Sequence, residues 1–444
     1  MRILFLLQSI LSEPALILGL VAMIGLIAGR KSWDKVLVGS MGPILGYLML
    51  GAGATVIVEN MEALGLMIEK GFHIKGVVPN NEAIVATAQS VLGMETMAIL
   101  VAGLVFNLLI ARFTRYKYIF LTGHHSFFMA ALLSAVLATI GLSGFQLILI
   151  GGFFLGAWSA ISPAIGQKYT ELATDGDGIA MGHFGSLGYY LSAFIGEKIG
   201  DKSQSTENLK ISEKLGFLRN STLSTAITMV VFYSIAAMVA GYDFVLSLSG
   251  GQHPVIFVFL SALKFAVGVA IVYNGVRMIV ADLLPAFQGI SQKLIPNSVA
   301  AVDCAVFFPY APTAVIIGFA FSFLGGVIGM FILGAMGWVL IIPGLVPHFF
   351  CGATAGIYGN ATGGKRGAMI GAFVNGLLLA FLPAMLLPVL GALGFANTTF
   401  GDVDFAVIGI LLGQVGQLLG TVGIYGLVGI VLLILITPNF MRRK

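Results

Sequence analysis

Residues 98–130 read AILVAGLVFNLLIARFTRYKYIFLTGHHSFFMA. An apolar run closes on Arg112, Arg115 and Lys117, and the chain turns at once into a second apolar run that opens on His124 and His125. A helix needs about 20 apolar residues to cross the hydrocarbon core of a bilayer. By the positive-inside rule, a basic cluster between two such runs marks a short cytoplasmic hairpin. The stretch therefore predicts two membrane spans, with two titratable rings where the second enters the membrane.

The rest of the chain agrees. Hydrophobic residues make up 58 % and charged residues 9 % of 444 residues, with a mean hydropathy of +1.01. A soluble domain carries about 25 % charged residues, so a soluble fold of this length is excluded. The net charge of +4 comes from short basic loops. No basic run alternates with aromatics, so nucleic acid is not implied as a partner; membrane lipid is. Cys304 and Cys351 both lie in apolar segments, without the paired spacing of a zinc site or a redox dithiol. No metal and no cofactor is expected. The first twenty residues show no small-residue cleavage site, so no removable signal peptide is read.

The apolar runs predict an all-α polytopic membrane protein of about eleven spans. Spans are expected near 14–28, 36–58 and 84–111, from about 119 onward, and near 145–165, 221–240, 255–280, 298–322, 324–342, 367–390 and 405–437. The loop holding Arg30, Lys31 and Lys35, and the closing MRRK, put the N-terminus outside and the C-terminus in the cytoplasm. ENMEALGLMIEKGFHIKG (59–76) reads as an amphipathic helix on the outer surface, with Glu62, Glu69 and Lys70 on a solvated face. IAMGHFGSLGYYLSAFIG (179–196) is too short and glycine-rich for a span and suggests a re-entrant hairpin. The most charged stretch follows and divides the chain into a first half (1–196), a cytoplasmic linker (197–220) and a second half (221–444).

The halves echo one another. LVFNLLIARF (104–113) resembles IVYNGVRMIV (271–280), and 162–186 loosely resembles 342–364. Each half carries an ionisable residue in an apolar stretch, His124 or Asp303. Each then carries a glycine-rich interrupted segment holding His183 or Asn360. Repeats with broken apolar segments point to a transporter whose ligand sits where unwound backbone offers free N–H and C=O groups.

An ionisable side chain at mid-membrane costs about 2.5–3.5 kcal/mol on insertion scales, so the few present need a reason. His124, His125, His183 and Asp303 are the candidates. Helical geometry turns His125 about 100° from His124. Imidazole donates and accepts hydrogen bonds and a carboxylate accepts them, so the set suits a polyhydroxylated ligand. It suits a proton relay equally well, and the residues alone do not separate the two. Arg277 and Asp282 read as the end of a span; Asn360, in the second glycine-rich segment, is a further candidate ligand contact, or else part of a turn before the next span. No phosphate-binding GxxxxGK[ST] loop, HExxH or GxSxG occurs.

LTGHH (121–125), DGDGIAMGHFG (175–185), FQGISQKLIP (287–296), AVDCAVFFPYAPTAV (301–315) and IIPGLVPHFFCGATAGIYGNATGG (341–364) together resemble one family. It is the ascorbate-specific permease, or enzyme IIC component, of the bacterial phosphoenolpyruvate-dependent sugar phosphotransferase system. The resemblance runs in order over nearly the whole chain. It implies a homodimer in the bacterial inner membrane, each protomer with a core domain and a V-shaped dimerisation domain. It implies uptake of L-ascorbate or a related anionic sugar, coupled to phosphorylation by a separate cytoplasmic IIB subunit. The chain itself carries no phosphoryl donor. By position, the resemblance makes His124, His183 and Asp303 substrate contacts, with a further contact near Asn81 and Glu82. Two positions depart from the family pattern: Phe128 and Phe184 stand where relatives have glutamine. A proton-coupled secondary transporter without phosphorylation is the alternative class.

Overall fold

The computed structural model describes residues 13–72, 77, 79, 81–209, 221–293, 295–391 and 399–440. The chain is a helical membrane protein, and among the described residues it has one three-stranded sheet. Helix α1 (Pro14–Ala28) leads into α2 (Trp33–Phe72) and α3 (Asn81–Phe113). Strand β1 (Tyr118–Phe120), α4 (Gly123–Thr139), α5 (Gly144–Ala173), β2 (Ala180–Met181) and α6 (Ser186–Ile199) follow. Beyond the linker come α7 (Ser221–Ala240), α8 (Tyr242–Leu248), α9 (Pro254–Lys293) and β3 (Val299–Val302). The chain continues through α10 (Pro312–Ala335), α11 (Ala353–Gly391) and α12 (Val403–Phe440).

Among the described residues, six helices are long and apolar enough to cross a membrane. They lie at Trp33–Gly53, Leu92–Phe113, Gly144–Ala173, Pro312–Ala335, His348–Leu390 and Val403–Pro438. A seventh is possible if α7 and α8, bent by 116° at Gly241, act as one broken span. Two segments differ from the sequence reading. Residues 59–72 continue α2, a single helix of 40 residues and hence about 60 Å long, rather than forming a separate surface helix. Where two spans were expected over 298–342, a strand, a 3-10 segment (Cys304–Tyr310) and one helix, α10, are found. The apolar run there hides a strand that no helical period reveals.

The three strands are parallel, in the order β1-β3-β2. Tyr118 pairs with Val299 and Phe120 with Ala301; on the other side Ala180 pairs with Ala301 and Met181 with Val302. Parallel sheets are normally buried on both faces, and this one is the wall between two hydrophobic cores. Ile119, Ala300, Val302 and Met181 join a core with residues of α2, α7, α10 and α11. Phe120, Ala301 and Ala180 join a second core with α3, α4, α5 and α12. The alternation follows from successive strand side chains pointing to opposite faces.

Open strand edges do not survive in hydrocarbon without partners. Here side-chain amides cover them. Asn107 of α3 donates to the Tyr118 carbonyl (3.1 Å) and accepts from the Phe120 N–H (3.0 Å). On the far edge Gln167 of α5 donates to the Ile179 carbonyl at 3.0 Å.

The charged linker is docked where it is described. Asp201 N–H donates to the Gly363 carbonyl (3.0 Å) and Lys365 N–H to the Gln204 carbonyl (2.8 Å). This holds residues 200–208 against α11 beside its break at Gly364. Glu207 accepts from the Thr313 and Ala314 N–H groups in the first turn of α10. Hydrogen bonds from Ser203 hold the Asp201 carboxyl below the usual carboxylate range. The rest of the linker, 210–220, lies outside the described residues.

Candidate functional site

Each strand ends within four residues of an ionisable residue singled out in the sequence. His124 and His125 open α4 after β1, His183 follows β2, and Asp303 follows β3 without a gap. Because the strands are parallel, all of these leave the same edge of the sheet. The approach is close: a Cβ at Gly182 would collide with the Ala301 carbonyl on β3, so only glycine lets β2 lie against its neighbour there.

Asp303 caps the 3-10 segment, with Oδ1 accepting from the Ala305 N–H at 3.1 Å. Its Oδ2 lies 3.3 Å from His124 Nε2. These two side chains are partly open, at 20 % and 16 % exposure. His125 and His183 are buried deeper, their ring centroids 3.7 Å apart. His125 also stacks on Phe405 at 5.5 Å.

The tautomer of both buried rings follows from their backbone partners. The Phe184 N–H donates to His125 Nδ1 (3.3 Å), and the Gly185 N–H to His183 Nδ1 (3.1 Å). The Tyr189 hydroxyl also meets His183 Nδ1, at 2.7 Å. An amide N–H can only donate, so each Nδ1 carries the lone pair and each neutral ring carries its hydrogen on Nε2. The pair therefore offers N–H donors for a ligand.

Two side-chain groups bring metal-type donor atoms within 4.8 Å of one another: His125 with His183 and Asp402, and His183 with Asp303 and Cys304. Nitrogen, oxygen and sulfur donors of this kind suit divalent transition metals. A metal on Nε2, however, would have to displace the hydrogen that the backbone contacts place there. The arrangement is better matched to hydrogen bonding, with imidazole N–H donors beside carboxylate acceptors.

Asp402 and Asp404 were not anticipated; GDVDF (401–405) reads in the sequence as a polar turn before an apolar run. Asp402 is buried and accepts from the Cys351 thiol (3.0 Å) and the Asn81 side-chain amide (3.0 Å). Asn81 in turn accepts from the Gly401 N–H at 2.9 Å. Asn81 thus reaches the cluster through Asp402. Glu82 follows it on α3, but its side chain lies outside the described residues. Asp404 faces the start of α6, accepting from Leu187 N–H (2.9 Å), Ser186 hydroxyl (2.8 Å) and Trp158 indole N–H (3.2 Å). It fixes the helix that follows His183.

Phe128 and Phe184 make an aromatic wall. Phe128 lies 5.9 Å from His124 and 6.0 Å from His125. Phe184 is fully buried, stacked on Phe120 at 4.5 Å and edge-on to Phe405. Asn360 has a different setting: it accepts from the Thr206 N–H at 2.8 Å and exchanges hydrogen bonds with Ser205, holding the docked linker. Its described partners belong to that linker and not to the histidine cluster. The side chains of Arg277 and Asp282 lie outside the described residues.

Residues 9–404 match the model of the EIIC-GAT family, described as the sugar-specific permease component of the phosphotransferase system (PTS). The chain belongs to this family. It is also similar to the "Ascorbate-specific PTS system EIIC component" of Mycoplasma pneumoniae (strain ATCC 29342 / M129 / Subtype 1), with 27 % identity over 431 residues. The alignment covers 84 % of this chain and 64 % of the relative, so the chain spans slightly less than two thirds of that relative's length. As a sugar-specific permease component, the family accounts for a helical protein with apolar spans.

Proposed function

We propose that the chain takes up a sugar acid, L-ascorbate in the first instance, and that uptake is coupled to phosphorylation by a cytoplasmic IIB subunit. Family membership supports the coupling, and the ascorbate-specific relative supports the substrate. The observation that carries the reading is the convergence of His124, His183 and Asp303 on one sheet edge with the Nε2 hydrogens of His125 and His183 fixed. Ascorbate is an anion through its ring enediol and carries a neutral side-chain diol. Imidazole N–H groups suit the enolate oxygens; the Asp303 carboxylate suits a hydroxyl.

In this reading His124 and His183 donate to ring oxygens, Asp303 accepts a hydroxyl, and His125 positions the pair. Phe128, Phe184 and Asn81 border the ligand. The protein works as a homodimer in the bacterial inner membrane, N-terminus outside and C-terminus cytoplasmic, with eleven spans in two related halves. A core domain moves against a V-shaped dimerisation domain to alternate access. The order of long helix, short strand and ionisable residue, seen at α3–β1–His124 and again at α9–β3–Asp303, supports the repeat.

The test is uptake of labelled ascorbate into vesicles, with and without the phosphorylated IIB partner and with an uncoupler. Ascorbate phosphate that forms only with the partner and survives the uncoupler supports the reading. Unmodified ascorbate accumulated without the partner, and lost with the uncoupler, replaces it with proton-coupled transport.

A further inference from the structure

Helix α2 packs chiefly on α1, α7 and α9, whereas α4, which His124 opens, packs on α3, α5 and α12. The two sets of helices meet where Leu121, just before α4, touches Ala22 and Leu26 of α1 and Val36 of α2. About three turns further along α2, one side chain reaches the histidine cluster itself. The ring centroid of Tyr47 lies 6.3 Å from that of His124, the planes tilted by 52°. Asp303 and Glu13 are its acidic neighbours. Tyr47 therefore stands beside His124 and Asp303, the two members of the cluster that remain partly open.

The pattern of α2 places it there. Ser40, Pro43 and Tyr47 recur at helical spacing on one face, the first two buried and Tyr47 partly so, while Met41, Leu45 and Leu48 on the other side are exposed. A tyrosine on an inward face usually finds a partner for its hydroxyl. Among the described residues, the Tyr47 hydroxyl makes no hydrogen bond.

We infer that Tyr47 is a ligand contact contributed by the second set of helices, its hydroxyl donating to an oxygen of the sugar acid seated against His124. The inference rests on the ascorbate reading above. An anionic ligand placed here lies near acidic groups and needs donors around it, and a phenol supplies one without changing its own charge. The contact also has a direction. In the proposed cycle the sheet and its helices move against their surroundings, so Tyr47 meets the ligand in the conformation seen here and is left behind when His124 moves. A contact made in one state only gives the ligand different affinities for the two states, tighter beside Tyr47 and looser away from it.

The experiment is equilibrium binding of labelled L-ascorbate to the purified full chain in detergent, wild type against Tyr47→Phe, with thermal unfolding of both proteins without ligand. Tyr47→Phe keeps the ring and removes only the hydroxyl. It should unfold where wild type does and bind ascorbate about 10-fold more weakly. Undiminished binding overturns the inference and leaves the ascorbate reading standing. Weaker binding together with a lower unfolding midpoint assigns the hydroxyl to the fold and also overturns it. A folded wild type that does not bind ascorbate removes the ascorbate reading and the inference with it. If Tyr47→Phe does not purify folded, N-ethylmaleimide labelling of Tyr47→Cys reads the same contact, with wild type as the control for the two buried native cysteines. Protection by ascorbate supports the contact, and equal labelling with and without ascorbate overturns it.

Discussion

His124 Nε2 lies 3.3 Å from Asp303 Oδ2, although 178 residues separate the two in the chain. The contact exists because β1 and β3 are parallel neighbours, with Asp303 immediately after β3 and His124 in the first turn of the helix that follows β1. If the pair acts as one unit on the ligand, its members cannot contribute independently. His124→Ala and Asp303→Asn should each weaken ascorbate binding by about 10- to 100-fold. The double variant should lose clearly less than the product of the two losses. Equilibrium binding to the three purified variants checks this; strictly multiplicative losses would mean the residues act separately.

Returning glutamine to the two family positions should have opposite costs. Phe184 is wholly enclosed by Phe120, Phe405 and His125, so Phe184→Gln buries an amide and should destabilise by about 1–3 kcal/mol. Phe128 is only partly buried and lies beside the more open His124. Phe128→Gln should unfold within a few degrees of wild type. Thermal unfolding of both variants in the same detergent distinguishes them, and a Phe184→Gln protein as stable as wild type would contradict the enclosed wall.

The two asparagines of the sequence echo should behave differently. Asn107 satisfies two backbone groups on the edge of β1, whereas Asn274 bonds only to its own helix, at the Ala270 carbonyl. Asn107→Ala should cost about 1–3 kcal/mol for the polar groups left unpaired; Asn274→Ala should be near neutral. Comparable unfolding curves for the two would remove the role given to Asn107.

Asp404 should matter to stability before it matters to ligand. Asp404→Ala orphans two donors at the start of α6, the Leu187 N–H and the Ser186 hydroxyl, and the Trp158 indole of α5, and should destabilise by about 1–3 kcal/mol or more. Asp404→Asn keeps an acceptor and should recover part of the loss. Unfolding midpoints for the pair, read beside wild type, decide it: equal destabilisation by Ala and Asn would show that charge, and not acceptance, is what α6 needs.

Much of this site was legible because ionisable residues are conspicuous in apolar sequence. His124, His183 and Asp303 stood out on cost alone, and they meet. The strands that bring them together did not. YIF, AM and VAAV are too short to show a period of two, and all three are buried on both faces, so no polar side marks them. Asp402 and Asp404 were missed because two aspartates next to a loop look solvated; only the packing of α6, Cys351 and Asn81 around them shows otherwise. Residues 59–72 looked like a surface helix because their charges are mixed, but nothing in them breaks α2. The same weakness applies to the echo between halves: it matched Asn107 to Asn274 by neighbours, not by what the amides hold.

The sheet also separates two jobs that helical bundles usually combine. Two backbone ladders, β1–β3 and β3–β2, set the spacing of the strand ends that carry His124, His183 and Asp303. The ladders keep the three strand ends in register whatever the packing of the flanking helices. Recognition is thereby insulated from motion: a ligand held at the ends of these strands would travel with a rigid plate instead of being loosened each time the surrounding helices repack.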